Sequence, residues 1–156
     1  MSAHARMTYD EFTKTAPAAY AGLAALGKAV DDSGLEKSLT ELIKIRASQI
    51  NHCVFCLQFH LNMARKIGVP TEKIDLLATW REAGIYSPRE MAALAWTETL
   101  TQLPQGAPDD ALYAGLQQHF SPSEIVFLTI SAATINQWNR IGAALRFDPP
   151  IPAKQG

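Results

Sequence analysis

The run from Ser121 to Leu145 limits this chain to few folds. Ser121-Pro122-Ser123-Glu124 has the residues of a capping box with proline at the first helical position, and the helix it opens extends over roughly Pro122 to Leu145. Along it Ile125, Val126, Leu128, Ile130, Ile135, Trp138, Ile141 and Leu145 fall at angles covering most of the circumference. Such a helix needs burial on several sides. It is either the centre of a bundle or lies partly against another copy of the chain, and a mixture of the two is expected.

Punctuation elsewhere marks further helices. Pro17 opens one that runs through Val30 and ends in Asp31-Asp32-Ser33-Gly34. A second spans about Leu35 to Ile50, with Leu35, Leu39, Leu42, Ile43 and Ile50 in one apolar stripe, Arg46 inside it, and Glu41 and Ser48 on a different face. A third begins around Cys53 and stops at Gly68-Val69-Pro70, with Thr71 starting the next segment. Ser87-Pro88-Arg89-Glu90 is another capping box, for a helix to about Leu103. The stretch from Gln105 to Asp110 reads as a flexible loop and Pro149 to Gly156 as a loose tail. There is neither strand alternation nor an internal repeat, so the expected class is all-α, in a single domain over residues 1–156.

Composition narrows the partners. With 47% apolar residues and a net charge of -1, the chain offers no basic run to attract nucleic acid or an anionic membrane. No apolar stretch approaches membrane-spanning length, and no signal-like h-region follows Met1-Ser2-Ala3-His4-Ala5-Arg6, so a cytoplasmic location is expected. In a reducing compartment, a lone pair of cysteines points to redox catalysis, sensing or metal binding rather than to a structural staple.

Both cysteines of the chain and a histidine lie in one stretch, Cys53-Val54-Phe55-Cys56-Leu57-Gln58-Phe59-His60. On a helix, Cys53, Cys56 and His60 project within about 60° of arc. If the preceding turn is Ile50-Asn51, Glu41 and His60 stand level across the hairpin, roughly 13 Å from it. A carboxylate then meets an imidazole, and the imidazole sits one turn beyond Cys56. The order Glu41, His60, Cys56 reads as a proton relay ending at a thiol that the helix N-terminus and the imidazole would acidify. Cys53, at disulfide-compatible spacing, would resolve the sulfenic acid formed when Cys56 attacks a peroxide, and an external dithiol would reset the pair. No cofactor is required.

The run Arg46-Ala47-Ser48-Gln49-Ile50-Asn51-His52-Cys53-Val54-Phe55-Cys56-Leu57-Gln58-Phe59-His60, with Glu41 upstream, resembles the core motif of alkylhydroperoxidase D-like proteins in the carboxymuconolactone decarboxylase superfamily. Trp80-Arg81-Glu82, the stretch from Ala92 to Thr101, and Asn136-Gln137-Trp138-Asn139-Arg140 resemble further family positions. The resemblance implies an all-helical bundle, assembly into dimers, trimers or hexamers, and a disulfide cycle that reduces peroxides or accepts electrons from a lipoyl-type dithiol. It assigns Cys56 as the peroxidatic thiol, Cys53 as the resolving thiol, and His60 and Glu41 as the relay. One position departs from the pattern: the best-studied peroxidases carry a histidine directly before the second cysteine, where this chain has Phe55.

Two other uses of the cluster compete. Cys53, Cys56, His60 and His52 count to four zinc ligands, although one helix face cannot easily surround a tetrahedral ion. A non-enzymatic redox-sensing oligomer would use the same disulfide to alter assembly. Glu98, in an apolar helix, is a candidate second carboxylate facing the pocket. Trp138 and Arg140 are candidates for pocket walls supplied by a neighbouring copy.

Overall fold

The computed structural model describes residues 2 and 4–153, and within them it is all-helical. The N-terminal helices are α1 (Tyr9–Thr15) and α2 (Pro17–Asp32), followed by α3 (Lys37–Ile50) and α4 (Val54–Lys66). Short α5 (Thr71–Asp75) and α6 (Trp80–Ala83) lead to α7 (Pro88–Thr101), α8 (Asp110–Gln117) and α9 (Pro122–Leu145). Both serine capping boxes form as the sequence predicts. Ser87 accepts from the Glu90 N–H and Ser121 from the Glu124 N–H, and each glutamate bonds back to the cap's own N–H. Such a cap contributes about 1 kcal/mol.

The 24-residue α9 is the centre of the bundle, packing on α2, α3, α4, α7 and α8. Ile125, Leu128, Ala132 and Ile135 are buried, and the remaining outer strip, Val126, Ala133, Gln137, Arg140 and Ala144, holds one large apolar side chain. The chain's own helices therefore cover most of the apolar circumference. The core part of the expected mixture is thus present within the chain.

The α3 helix is buried on two faces. Leu39, Leu42 and Ile43 join the main apolar core with Leu77, Leu94 and Leu128. Its other face carries Glu41, Lys44 and Ser48, spaced three and four residues apart, toward α4 and α9. Asn51 and His52 form the whole turn into α4; His52 adopts left-handed geometry (φ 53°), and the Cys53 N–H donates to Ser48 O at 3.1 Å.

Three helices have no counterpart in the sequence reading: the short α6, α1 and α8. The α1 helix, opened by a Thr8–Glu11 capping box, folds back so that Phe12 packs with Leu23 and Phe147. The α8 helix, capped by Asp109, follows the loop expected from Gln105 to Asp110, whose residues 106–109 are irregular between a 3-10 turn (Leu103–Gln105) and the helix start. The tail from Pro149 is anchored by the Asn62 amide, which donates to Pro150 O at 2.8 Å; residues 154–156 lie outside the described residues. No helix among the described residues is long and apolar enough to cross a membrane.

Candidate active site

Cys53 is the N-cap of α4, and its sulfur accepts the Cys56 N–H at 3.4 Å. One turn later Cys56 brings its thiol to 2.7 Å from that sulfur, and both residues are buried. They are free cysteines. Behind them α9 presents Gly142, where a methyl group would stand 2.9 Å from Cys53 Sγ and 3.4 Å from Cys56 Sγ. Only a residue without Cβ lets the sulfur pair lie this close to the helix.

The predicted carboxylate–imidazole contact is present. His60 Nδ1 lies 2.7 Å from Glu41 Oε2, while Lys44 and Lys37 reach Glu41 Oε1 at 3.1 and 3.3 Å. Burial alone would raise the Glu41 pKa, but the His60 hydrogen bond and the charges of His60, Lys44 and Lys37 outweigh it and hold the carboxyl at about 2. Burial moves His60 the other way, lowering its pKa and favouring the neutral ring, against the pull of Glu41. An ionised carboxylate only accepts, so His60 Nδ1 carries the hydrogen and Nε2 keeps its lone pair. The sequence reading did not single out Lys44, whose spacing three residues from Glu41 was the available signal.

Glu41, Lys44, Cys56 and His60 line one cavity of about 400 Å³, walled by aromatic side chains that include Tyr9, Phe55 and Trp138. Phe55 stacks on Tyr9 with ring centroids 5.0 Å apart. Cys53 is not among the lining residues, so of the two sulfurs Cys56 faces the space a substrate would enter.

The electrostatics differ from the expectation in one respect. The hydrogen bond from Cys56 is the main influence that lowers the Cys53 pKa, to about 7, and the Cys56 N–H assists it. Cys56 is pushed up, first by its hydrogen bond to Cys53, then by burial and by the neighbouring charge. The thiol–thiol hydrogen bond thus favours the anion on Cys53, with the Cys56 N–H at the helix N-terminus adding to it.

Other expectations resolve as follows. Glu98 does not face the cavity; it is bound by Arg46 Nε at 2.7 Å, Trp80 Nε1 at 2.9 Å and Arg81 Nη1 at 2.5 Å, because the apolar side of α7 turns it toward α3 and α6. That contact also accounts for Arg46 inside the α3 stripe. Trp138 walls the cavity of its own chain, while Arg140 bonds back to Asn136. His52 is exposed on the turn and His60 Nδ1 is occupied by Glu41; among the described residues no group of three or more His, Cys, Asp or Glu is placed to hold a metal ion. The four-ligand zinc arrangement is therefore not assembled among the described residues.

The carboxymuconolactone decarboxylase family matches residues 17–99, from the start of α2 into α7. The uncharacterized protein YdfG of Bacillus subtilis is 39% identical over 118 residues, covering 76% of this chain and 80% of YdfG. Among solved structures, ATU0492 from Agrobacterium tumefaciens superposes with a TM-score of 0.88 at 36% identity, covering 95% of this chain and 99% of that one. It is a protein of unknown function with a suggested role in antioxidant defence as AhpD. The debrominase Bmp8 shares the fold, with a TM-score of 0.79 at 20% identity over 88% of this chain and 74% of that one. From the family match, these likenesses and the all-helical bundle, the chain belongs to the carboxymuconolactone decarboxylase family as an AhpD-like member.

Proposed function

We propose that the protein is a thiol-dependent peroxidase and disulfide oxidoreductase in which Cys56 attacks the peroxide, Cys53 resolves it, and His60 with Glu41 moves the proton. The observation that carries this reading is the contact of two free thiols, one of which, Cys56, lines the same cavity as the Glu41–His60 pair. His60 Nε2 takes the Cys56 proton as the thiolate attacks the outer peroxide oxygen. The O–O bond breaks, the alkoxide collects the proton from His60, and Cys56 is left as a sulfenic acid. Cys53, the more acidic sulfur, is suited to the second step: its thiolate attacks Cys56 Sγ and hydroxide leaves as water. An external dithiol, lipoyl-linked in the reading that the resemblance implies, then takes over the disulfide by two exchanges. The sum is ROOH plus dithiol giving ROH, water and the dithiol's disulfide.

The decisive experiment mixes reduced protein with hydrogen peroxide or an organic hydroperoxide and counts free thiols. Both thiols should disappear with a mass loss of two hydrogens, and a dithiol should restore them through many cycles. One oxidation without turnover would favour a redox sensor. The aromatic cavity supports a second reading, because the structure of a Bmp8 variant contains 2,3,4-tribromopyrrole. There the same pair would supply two electrons to replace a ring halogen by hydrogen, releasing halide. Bromide release from a bromopyrrole, with peroxides ignored, would select it.

Assembly into a dimer, trimer or hexamer belongs to this proposal and rests on the resemblance, since α9 is covered within the chain. Light scattering at micromolar concentration should give a multiple of the 17.1 kDa chain mass; a single-chain mass overturns it.

A further inference from the structure

Behind the sulfur pair, on the side away from the cavity, a chain of side-chain amides and hydroxyls crosses from α3 to α9. Its orientation is fixed at both ends by backbone carbonyls, which only accept. At one end Ser48 Oγ donates to Lys44 O at 2.7 Å, so it accepts from Asn139, and the Asn139 atom 3.0 Å away is therefore Nδ2. At the other end Asn136 Nδ2 donates to Ala132 O at 2.8 Å, which leaves Asn136 Oδ1 to accept from Asn51 at 2.9 Å. Asn51 Nδ2 has a second hydrogen, and it goes to Asn139 Oδ1, also at 2.9 Å. Both ends give the same orientation for the Asn139 amide.

That orientation leaves one hydrogen of Asn139 Nδ2 without an oxygen partner in a side chain 1% exposed. A buried N–H without an acceptor costs about 1–3 kcal/mol, so what it faces matters. Asn139 and Gly142 are three apart on α9 and share a face, and the closeness of both sulfurs to Gly142 locates the thiol pair on that face. Among the influences on the two thiols, the Asn139 amide favours the ionised form of each, and it stands one turn before the glycine against which both sulfurs lie.

We infer that Asn139 is the hydrogen-bond donor to the sulfur anion of the Cys53–Cys56 pair, with Ser48 and Asn51 holding its amide in the donating orientation. The inference rests on the reading of the two cysteines as a redox pair. A donor able to reach both sulfurs supports the negative charge on either, so it assists the attack at Cys56 and the resolving step at Cys53 alike. Charged and ionisable neighbours on the cavity side are Glu41, Lys44 and Lys37 of α3, His60 of α4, Tyr20, Lys28 and Asp31 of α2, and Tyr9 of α1. On α9, Arg140 is turned to Asn136, which leaves Asn139 as the amide donor behind the sulfurs.

The test is a titration of the thiols in the reduced protein, by iodoacetamide rate against pH and by thiolate absorbance. Asn139→Leu, of similar volume and without a donor, should move the midpoint upward by about one unit and slow alkylation at pH 7 about fivefold. An unchanged midpoint in a folded variant overturns the inference, because a purely structural role would lower the melting temperature and leave the midpoint alone. Should that variant not fold, wild-type protein decides. In nitrogen-15 spectra one Asn139 side-chain proton should shift with pH in step with the thiol and stop doing so once the disulfide forms; a proton indifferent to both overturns the inference. Neither titration contains a peroxide. A wild-type protein inert to peroxides therefore sinks the peroxidase reading while these shifts still decide the role of Asn139.

Discussion

Replacing Cys56 by serine should reduce peroxide consumption by about a thousandfold or more, because the hydroxyl left in its place is hardly ionised near neutral pH and Cys53 does not line the cavity. Cys53→Ser should behave differently. It leaves the cavity thiol in place and removes the resolving partner, so one equivalent of peroxide should be reduced and the cycle should stop at a sulfenic acid on Cys56, which a cyclic diketone traps and mass spectrometry locates. Since Cys53 is the more acidic sulfur, the opposite result is chemically reasonable: trapping at Cys53 in Cys56→Ser protein, with no loss of the first turnover, would exchange the two roles. Access to the cavity, rather than acidity alone, is what assigns attack to Cys56 here.

Glu41→Gln is expected to have the largest effect on stability. The carboxylate is 1% exposed and joins His60, Lys44 and Lys37, so neutralising it removes the anion and leaves Lys44 without its buried partner. A cost of about 3 kcal/mol at pH 7 is expected. The pH dependence gives the sign. Glu41 has a pKa lowered from 4.5 to about 2 on folding, so its contribution is complete above 4.5 and is lost as pH falls toward 2. Denaturant unfolding of both proteins should therefore show a gap at pH 7 that narrows across that acid window. A gap of the same size at pH 7 and near pH 2 would remove the carboxylate's ionisation as its source. The variant should also react with alkylating reagents more slowly, since glutamine no longer dictates which His60 nitrogen carries the hydrogen.

The register of Glu41 with His60 was legible in the sequence because both lie on consecutive helices joined by a two-residue turn, and helical rise alone sets their heights. The central place of α9 was legible for a similar reason: the angular spread of its apolar residues is a local property. Periodicity did not reveal partners brought together from distant parts of the chain. Asn51 meets Asn136 and Asn139 across 85 and 88 positions, and nothing in the spacing of either segment encodes that encounter. Tyr9 over Phe55 is of the same kind: α1 is short, and its placement depends on a cleft built by other helices. Glu98 misled because a lone carboxylate in an apolar helix looks the same whether it faces a cavity or an arginine. Its partners Arg46 and Arg81 come from two other elements. The distribution of acidity between the sulfurs also escaped, since it follows first from the hydrogen bond between them and then from Cys53 occupying the cap, where it accepts the Cys56 N–H.

The hairpin that carries Glu41, Cys53, Cys56 and His60 closes through near neighbours in the chain, whereas α9, which backs the two sulfurs at Gly142, is the last long helix to be synthesised. Contacts of short sequence separation form ahead of distant ones. During biosynthesis the thiols are thus brought together before their cover exists, and a nascent chain passes through an interval in which the pair is assembled yet open to any oxidant at hand. If the pair is redox-active as proposed, a disulfide formed in that interval would meet α9 before the helix docks, and maturation would then depend on the reducing power of the place where the chain is made.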